Sequence, residues 1–210
     1  MIDPRYSEDE QAERLKEWWK KNGTSIIVGV VIGVGAIAGV NYWRDYTRTQ
    51  SENASARFVT LLSTPGGGGG EIASELMQDY AGTPYAGLSS LYRAKKHYDS
   101  GEIEEAESML RWAMENSKQK EVQHAARLRL ARILMEQDQL KEAEGLANFT
   151  QVDGFTSQYK ELQGDIAMSK GDAEAARTAY EEALSELPRG SQYSGLLALK
   201  LDHAIGVSGR

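Results

Sequence analysis

The chain has 210 residues and a formal net charge of −7, from 24 Lys plus Arg against 31 Asp plus Glu. This length suits one domain of about 100–200 residues with appendages, and the acidic balance argues against a nucleic-acid partner, which would need a clustered basic excess. The chain has no cysteine, which excludes disulfides, thiolate metal sites and a cysteine nucleophile.

The first segment, residues 1–22, is predicted to be a cytoplasmic tail that contains a short amphipathic helix. Ala12, Leu15 and Trp19 lie at i, i+3 and i+7, with Trp18 beside them. This spacing places apolar side chains on one helical face, which could lie against a membrane surface. A frayed tail with aromatic anchors is the alternative interpretation.

The next segment, residues 23–43, is predicted to be a transmembrane helix. The run from Asn22 to Trp43 carries no charged side chain. As a helix it would be about 33 Å long at 1.5 Å per residue, which matches a hydrocarbon core of about 30 Å. Tyr42 and Trp43 end the run, and such rings favour the headgroup level of a bilayer.

Three other interpretations of this run are possible from its composition. A buried core helix is disfavoured, because core helices are rarely uncharged over such a length. A cleaved signal peptide would use Ala36-Ile37-Ala38 as its cleavage site, but the long acidic segment before the run is unlike a short basic leader. A dinucleotide-binding turn over 33–38 would match G-x-G-x-x-A, yet it requires a strand before it and a helix after it.

Four glycines in the predicted span form two pairs, each with a spacing of four residues. Gly29 pairs with Gly33, and Gly35 pairs with Gly39. Small residues at this spacing allow another helix to approach closely, so the pairs are candidate helix-packing sites. Glycine is also frequent in membrane helices in general, which is the alternative explanation.

The orientation of the span is predicted from the flanking Lys and Arg residues, which are enriched on the cytoplasmic side of membrane helices. The amino-terminal flank holds more of these residues than the carboxyl-terminal flank. The sequence therefore predicts a cytoplasmic N-terminus and a translocated C-terminal domain. The two sets are Arg5, Arg14, Lys16, Lys20 and Lys21 before the run, and Arg44, Arg48 and Arg57 after it.

Residues 44–210 are predicted to form an all-α solenoid of helical hairpins of the tetratricopeptide type. Three segments, 91–113, 128–150 and 161–183, align with one another at spacings close to the repeat length of about 34 residues. Small residues coincide in the first helix of each hairpin, and Gly or Asp coincides at the turn, where a positive φ is often needed. A generic helical bundle is the alternative. The aligned positions are Ala94, Ala131 and Gly164 in the first helices, Gly101, Asp138 and Gly171 at the turns, and Ala106, Ala143 and Ala176 in the second helices.

The flanks of the repeats are also predicted to be helical. A helix over 46–62 and another over 71–80 are separated by a Gly-rich linker at 65–70, because proline and successive glycines disfavour helix. After Pro188, a last helix at about 192–205 is expected to cap the exposed end of the solenoid.

The chain lacks the sequence patterns of common catalytic and metal sites. No two of its 3 histidines are three or four residues apart, so no helical zinc pair exists. Neither a Walker loop nor a G-x-S-x-G elbow occurs. The sequence predicts a protein that is not an enzyme, with no cofactor and no small-molecule substrate.

A set of short motifs runs along nearly the whole chain in one register, and together they resemble the YfgM family, the ancillary subunits of the bacterial SecYEG translocon. The Gly66–Gly70 run departs from the family pattern. The motifs are Asn22-Gly23, Gly29-Val30, Gly33-Val34-Gly35-Ala36, Gly39, Tyr42-Trp43, Tyr85, Leu88-Ser89-Ser90-Leu91, Leu128-Arg129-Leu130-Ala131-Arg132, Ser169-Lys170-Gly171-Asp172, Ala176-Arg177 and Ala179-Tyr180.

The resemblance implies a single-pass protein of the bacterial inner membrane with a periplasmic tetratricopeptide-like domain. It also implies three partners, namely the SecYEG translocon, a periplasmic chaperone of the PpiD type, and membrane lipid. The expected function is that of an anchored adaptor, with Tyr92, Lys95 and Arg132 in the first helices of the hairpins as candidate contact residues. The alternative is a regulatory protein whose cytoplasmic tail restrains a signalling or transcription factor.

Overall fold

The computed structural model describes residues 8–64, 68–150 and 154–208. Within these ranges the secondary structure is helical and contains no strand, which confirms the predicted all-α class. The helices are α1 (Glu8–Ser63), α2 (Gly69–Asp79), α3 (Pro84–Asp99), α4 (Ile103–Asn116), α5 (Lys120–Glu136), α6 (Leu140–Ala147), α7 (Thr156–Ser169), α8 (Ala173–Ser185) and α9 (Ser194–Ser208).

The chain divides into two compact units, of which the first ends at Gln50 and the second begins at Ser51. In the first unit, α1 is long and apolar enough to cross a membrane, and it is the one such helix in the described ranges. Its apolar side chains face outward, since Val31 is 65% exposed and Ile32 is 66% exposed. A buried core helix is thereby excluded, because a core helix would cover these side chains.

Two sequence interpretations of the first unit differ from the structure. The G-x-G-x-x-A match at 33–38 lies in the middle of α1 with no strand before it, so a dinucleotide-binding turn is excluded. The predicted tail helix is not a separate element, because α1 continues through Asn22 and Gly23. The Asn22 amide donates to the Trp18 carbonyl at 2.9 Å, and the Trp19 indole covers Gly23. Both contacts lie within the continuous helix α1.

The second unit contains the three predicted hairpins, α3 with α4, α5 with α6, and α7 with α8. Each turn holds one residue in the left-handed region, with φ of 78° at Gly101, 60° at Asp138 and 79° at Gly171. The chain reverses there because glycine adopts positive φ without steric cost and aspartate tolerates it. The aligned alanines of the second helices, Ala106, Ala143 and Ala176, are fully buried.

Gly164 in α7 lies directly against the ring of Tyr180 in the paired helix α8. A Cβ built on Gly164 would lie 2.6 Å from Cδ1 of Tyr180 in α8, well inside van der Waals contact. The ring of Tyr180 cannot retreat easily, because it is only 2% exposed and its hydroxyl donates to Asp165 at 2.8 Å. The glycine therefore provides the space that the tyrosine ring fills.

The end of α1 and α2 together form an additional hairpin before the repeats. Leu61 of α1 and Leu76 of α2 are buried in one apolar cluster, and Arg57 pairs with Glu75 at 3.2 Å. The predicted Gly-rich linker at 65–70 is shorter on its carboxyl side, since α2 already begins at Gly69. A Cβ at Gly69 would lie 2.7 Å from Cδ1 of Leu61, so a larger residue there would require the buried Leu61 side chain to shift. Residues 65–67 of that linker lie outside the described residues.

The last helix, α9, covers the end of the stack. It begins two residues after the predicted start and ends three residues after the predicted end. Leu197 and Ala204 are fully buried on α9 and pack with Tyr180 and Ala183 of α8. The helix therefore covers apolar surface that the third hairpin would otherwise expose.

A pair of glycine substitutions tests the packing at α7. Gly164→Ala is expected to destabilise the repeat domain by about 1–3 kcal/mol, because overpacking against the Tyr180 ring outweighs the better helix propensity of alanine. Gly145→Ala in α6 is the matched control, since a Cβ there meets no atom within 4 Å, and it is expected to stabilise by about 0.5–1 kcal/mol. Urea unfolding of the full-length chain in detergent, followed by circular dichroism, measures both changes. Equal changes in the free energy of unfolding, with the same sign for both variants, would contradict the packing of Gly164 against Tyr180.

Candidate partner-binding surface

The first helices of the hairpins, α3, α5 and α7, carry a charged residue at the same place in the repeat. Lys95, Arg132 and Asp165 each follow directly after the small residue that packs against the second helix. Lys95 is exposed, and Arg132 and Asp165 are half-buried. One repeat position therefore supplies two cations and then an anion along the domain.

Lys95 and Arg132 line the same groove, which lies between α3 and α5 and has a volume of about 290 Å³. We call it the α3–α5 groove. Two of the three predicted contact residues are thus brought together. The floor of the groove is apolar and its rim is charged or polar. The floor consists of Leu91, Ala94, Leu110 and Ile133, and the rim of Lys95, Tyr98, Arg129, Arg132 and Glu136.

The rim of the α3–α5 groove has one contact that joins its two walls. The Tyr98 hydroxyl of α3 donates to the Glu136 carboxylate of α5 at 2.7 Å, and this hydrogen bond to an anion raises the pKa of Tyr98. Lys95 pairs with Asp99 on its own helix at 2.9 Å. For Arg129, by contrast, no acidic group of the described residues lies within 4.0 Å, and its side chain is exposed.

Tyr92, the third predicted contact residue, lies elsewhere. It is half-buried and packs against the apolar cluster of Leu61 and Leu76. The Lys96 ammonium lies 5.6 Å from the centre of its ring. Tyr92 therefore contributes to the junction between the first hairpin and α3 and does not line the α3–α5 groove.

A second polar cluster, which we call the cap cluster, joins α7 to α9. The Glu161 side chain is only 2% exposed, and its carboxylate accepts hydrogen bonds from Tyr193 at 2.7 Å and Lys200 at 2.6 Å. Lys200 also donates to Asp165 at 2.7 Å. Arg132 of α5 lies 3.6 Å from Glu161. A buried carboxylate is stable only when paired in this way.

The four predicted helix-packing glycines, Gly29, Gly33, Gly35 and Gly39, lie in α1, and a Cβ added to any of them would meet no atom within 4 Å. At about 100° per residue, the pair formed by Gly29 and Gly33 and the pair formed by Gly35 and Gly39 lie on different faces of the helix. Elsewhere in the described residues, no three His, Cys, Asp or Glu side chains are grouped closely enough to hold a metal ion.

The model of a tetratricopeptide repeat-like domain family matches residues 16–206, which is most of the chain. Proteins described as "Ancillary SecYEG translocon subunit" are similar over nearly their whole length. The chain belongs to the ancillary SecYEG translocon subunit family. Relatives include proteins of Haemophilus influenzae, with 32% identity over 84% of this chain and 88% of the relative, Escherichia coli, with 28% identity over 83% and 86%, and Neisseria gonorrhoeae, with 23% identity over 93% and 96%. No solved structure gives a significant match.

The cap cluster of this ancillary translocon subunit family member was missed by sequence analysis, although a signal was present. Leu91 and Leu128 occupy the same repeat position as Glu161. An acidic residue at a position that is otherwise apolar indicates a buried charge that needs a partner. The partners could not be read from the sequence, because Tyr193 and Lys200 are 32 and 39 residues away.

The tyrosines of the cap cluster have raised pKa values. Burial, and then the hydrogen bond to Glu161, raises the pKa of Tyr193 to about 12. Burial, and then the hydrogen bond to Asp165, also raises the pKa of Tyr180. The folded state therefore keeps these protons at pH values where an unfolded tyrosine, with a pKa of about 10, loses them.

Alkaline pH is expected to weaken the cap cluster. The contribution of Tyr193 is fully present below pH 10 and is lost as the pH rises from about 10 to about 12, because the unfolded state ionises first. Tyr193→Phe removes the bond to Glu161 and is expected to lower the stability by about 1 kcal/mol at pH 8. The difference in stability between the Tyr193→Phe variant and the wild type should be smaller at pH 11 than at pH 8. The urea midpoints of full-length chains in detergent at the two pH values measure this, with Tyr46→Phe as the control. A stability difference that does not change with pH would contradict the raised pKa of Tyr193.

Proposed function

We propose that the protein is a membrane-anchored adaptor of the Sec translocon. In this proposal α1 holds the chain in the bacterial inner membrane beside SecYEG, and the repeat domain brings periplasmic chaperones to polypeptides that leave the channel. One observation carries the proposal. The chain combines a helix that can cross a membrane with a tetratricopeptide repeat-like domain. Its relatives, which are similar over most of their length, are named as translocon subunits.

The aromatic residues of α1 support a position across the bilayer. Trp18 and Trp19 lie before the apolar run and Tyr42 and Trp43 end it, and all four are about half exposed or more. Along a helix, Trp19 and Trp43 are about 36 Å apart at 1.5 Å per residue. This separation places both sets of rings near the headgroups of a bilayer with a core of about 30 Å. Membrane lipid is then a partner of α1 along its apolar length.

The repeat domain supports an adaptor and not an enzyme. Its polar clusters are ion pairs and hydrogen bonds between helices, such as Lys200 with Glu161 and Tyr98 with Glu136. A tether at the channel increases the local concentration of whatever the domain binds, up to about the millimolar range when the geometry allows both contacts. A chaperone of the PpiD type and the emerging polypeptide are the proposed partners.

The proposed topology has a cytoplasmic N-terminus and a periplasmic C-terminal domain, and the absence of native cysteine makes it easy to test. Lys118→Cys, at an exposed position between α4 and α5, is expected to react in spheroplasts with a maleimide that cannot cross the membrane. Gln11→Cys is expected to react only after the membrane is permeabilised. The excess of Lys and Arg before the span is the physical reason. The reverse pattern of labelling would overturn the topology.

Association with the channel is proposed to depend on the glycine faces of α1. The full-length tagged chain, purified from solubilised inner membranes, is expected to bring SecYEG with it. Combined Gly29→Leu and Gly33→Leu should reduce recovery of SecYEG about tenfold, because bulky side chains would prevent close helix contact worth 1 kcal/mol or more. Combined Val30→Leu and Val34→Leu is the control, since it leaves the glycines in place.

Two results would contradict the proposal. The first is recovery of SecYEG with the glycine variant at the level of the control, which would remove the glycine faces as the contact. The second is release of the wild-type chain from membranes by alkaline carbonate, which would remove the membrane anchor itself.

A further inference from the structure

We infer that the α3–α5 groove binds an acidic segment of a partner polypeptide, with an apolar side chain on the groove floor and a neighbouring carboxylate on Arg129. The inference rests on the proposed adaptor function, because it assigns a chemistry to the partner that the repeat domain holds. Three features of the described residues support it, and they concern the charge of the rim, the cap cluster and the groove floor.

The rim is cationic in a chain that is acidic as a whole. Lys95 of α3 shares the rim of the α3–α5 groove with Arg129, Arg132 and Glu136 of α5, while the whole chain has a net charge of −7. Lys95 pairs with Asp99, and Arg132 lies 3.6 Å from Glu161. Glu136 already accepts from Tyr98, and Arg129 has no acidic group of the described residues within 4.0 Å. A guanidinium beside an apolar floor favours a planar carboxylate, which it can bind through two hydrogen bonds.

The cap cluster shows how this fold pairs a charge on a first helix with an opposite charge from another segment. In the third repeat, the position equivalent to Lys95 and Arg132 is Asp165, and its charge is met by Lys200 from α9. The chain thus supplies a lysine where its own repeat is acidic. It supplies no acidic element to Arg129 within the described residues. The element of opposite charge is therefore expected from another polypeptide.

The floor of the α3–α5 groove adds an apolar requirement. Leu91, Leu110 and Ile133 line a volume of about 290 Å³, which is large enough for a leucine or phenylalanine side chain. Burial of such a side chain contributes most of the affinity of peptide grooves, while charges at the rim select the partner. A segment that combines Glu or Asp with Leu or Phe meets both requirements.

The test uses the full-length chain in uncharged detergent micelles and fluorescein-labelled dodecapeptides, followed by fluorescence anisotropy. One peptide alternates Glu with Leu, the second alternates Lys with Leu, and the third alternates Glu with Ser. The first is expected to bind at least about tenfold more tightly than the other two, because it alone supplies both carboxylates and apolar side chains. Equal binding of the Lys peptide would overturn the inference, as would absence of binding by the Glu–Leu peptide.

Two variants with the same change of charge locate the binding. Arg129→Ser is expected to weaken binding of the Glu–Leu peptide about tenfold, because a hydrogen bond between charged groups is lost. Arg189→Ser is the matched control, since Arg189 is also exposed but lies in the turn after α8. Arg129→Glu is expected to reverse the preference toward the Lys–Leu peptide. Equal binding by the Arg129→Ser and Arg189→Ser variants would overturn the inference, and circular dichroism checks that both variants are folded.

Recovery of SecYEG separates this inference from the proposed function. Arg129→Ser is expected to keep SecYEG at the wild-type level, because α1 and not the groove is proposed to contact the channel. If the Glu–Leu peptide does not bind while SecYEG is recovered, the groove inference is overturned and the adaptor function stands. If the peptide binds but the wild-type chain never recovers SecYEG, the proposed function is overturned and the groove chemistry stands.

Discussion

The repeat domain depends on close contact between the two helices of each hairpin, and that contact depends on small side chains. Ala94, Ala131 and Gly164 mark the place where each first helix meets its second helix, and the Tyr180 ring occupies the space left by Gly164. At these points the first helices carry small residues, and Lys95, Arg132 and Asp165 follow directly after them. The position that follows each small residue is therefore available to carry charge, and it does so in all three hairpins.

The charge at that repeated position changes along the domain, and its surroundings change with it. Where the repeat is acidic, at Asp165, Lys200 of α9 donates to the carboxylate at 2.7 Å. Where the repeat is cationic, the α3–α5 groove keeps an apolar floor and an exposed guanidinium. The same repeat architecture thus produces a closed polar junction at α9 and an open surface at the α3–α5 groove. The two differ in the residue that follows the small residue of the first helix.

Sequence periodicity predicted the hairpins well because their turns and small residues recur at fixed spacing, as the positive φ of Gly101, Asp138 and Gly171 illustrates. It placed Lys95 and Arg132 on the first helices but could not show that they share a groove, nor that Tyr92 packs elsewhere. Local rules also placed Gly69 in a linker, whereas α2 already begins there. Contacts between residues far apart in sequence, such as Glu161 with Lys200, leave no periodic pattern to detect.

Glu161 depends on the C-terminal residues for its hydrogen bonds, and this has a consequence for folding during synthesis. Ribosomes make the chain from its amino end, so the third hairpin emerges before Tyr193 and Lys200 exist. During that interval the Glu161 carboxylate lacks the hydrogen bonds from Tyr193 and Lys200, and burying a carboxylate without these partners would be strongly destabilising. We therefore expect the third hairpin to close around Glu161 only after α9 has been made, and chains that end before Tyr193 should remain sensitive to proteases at this end.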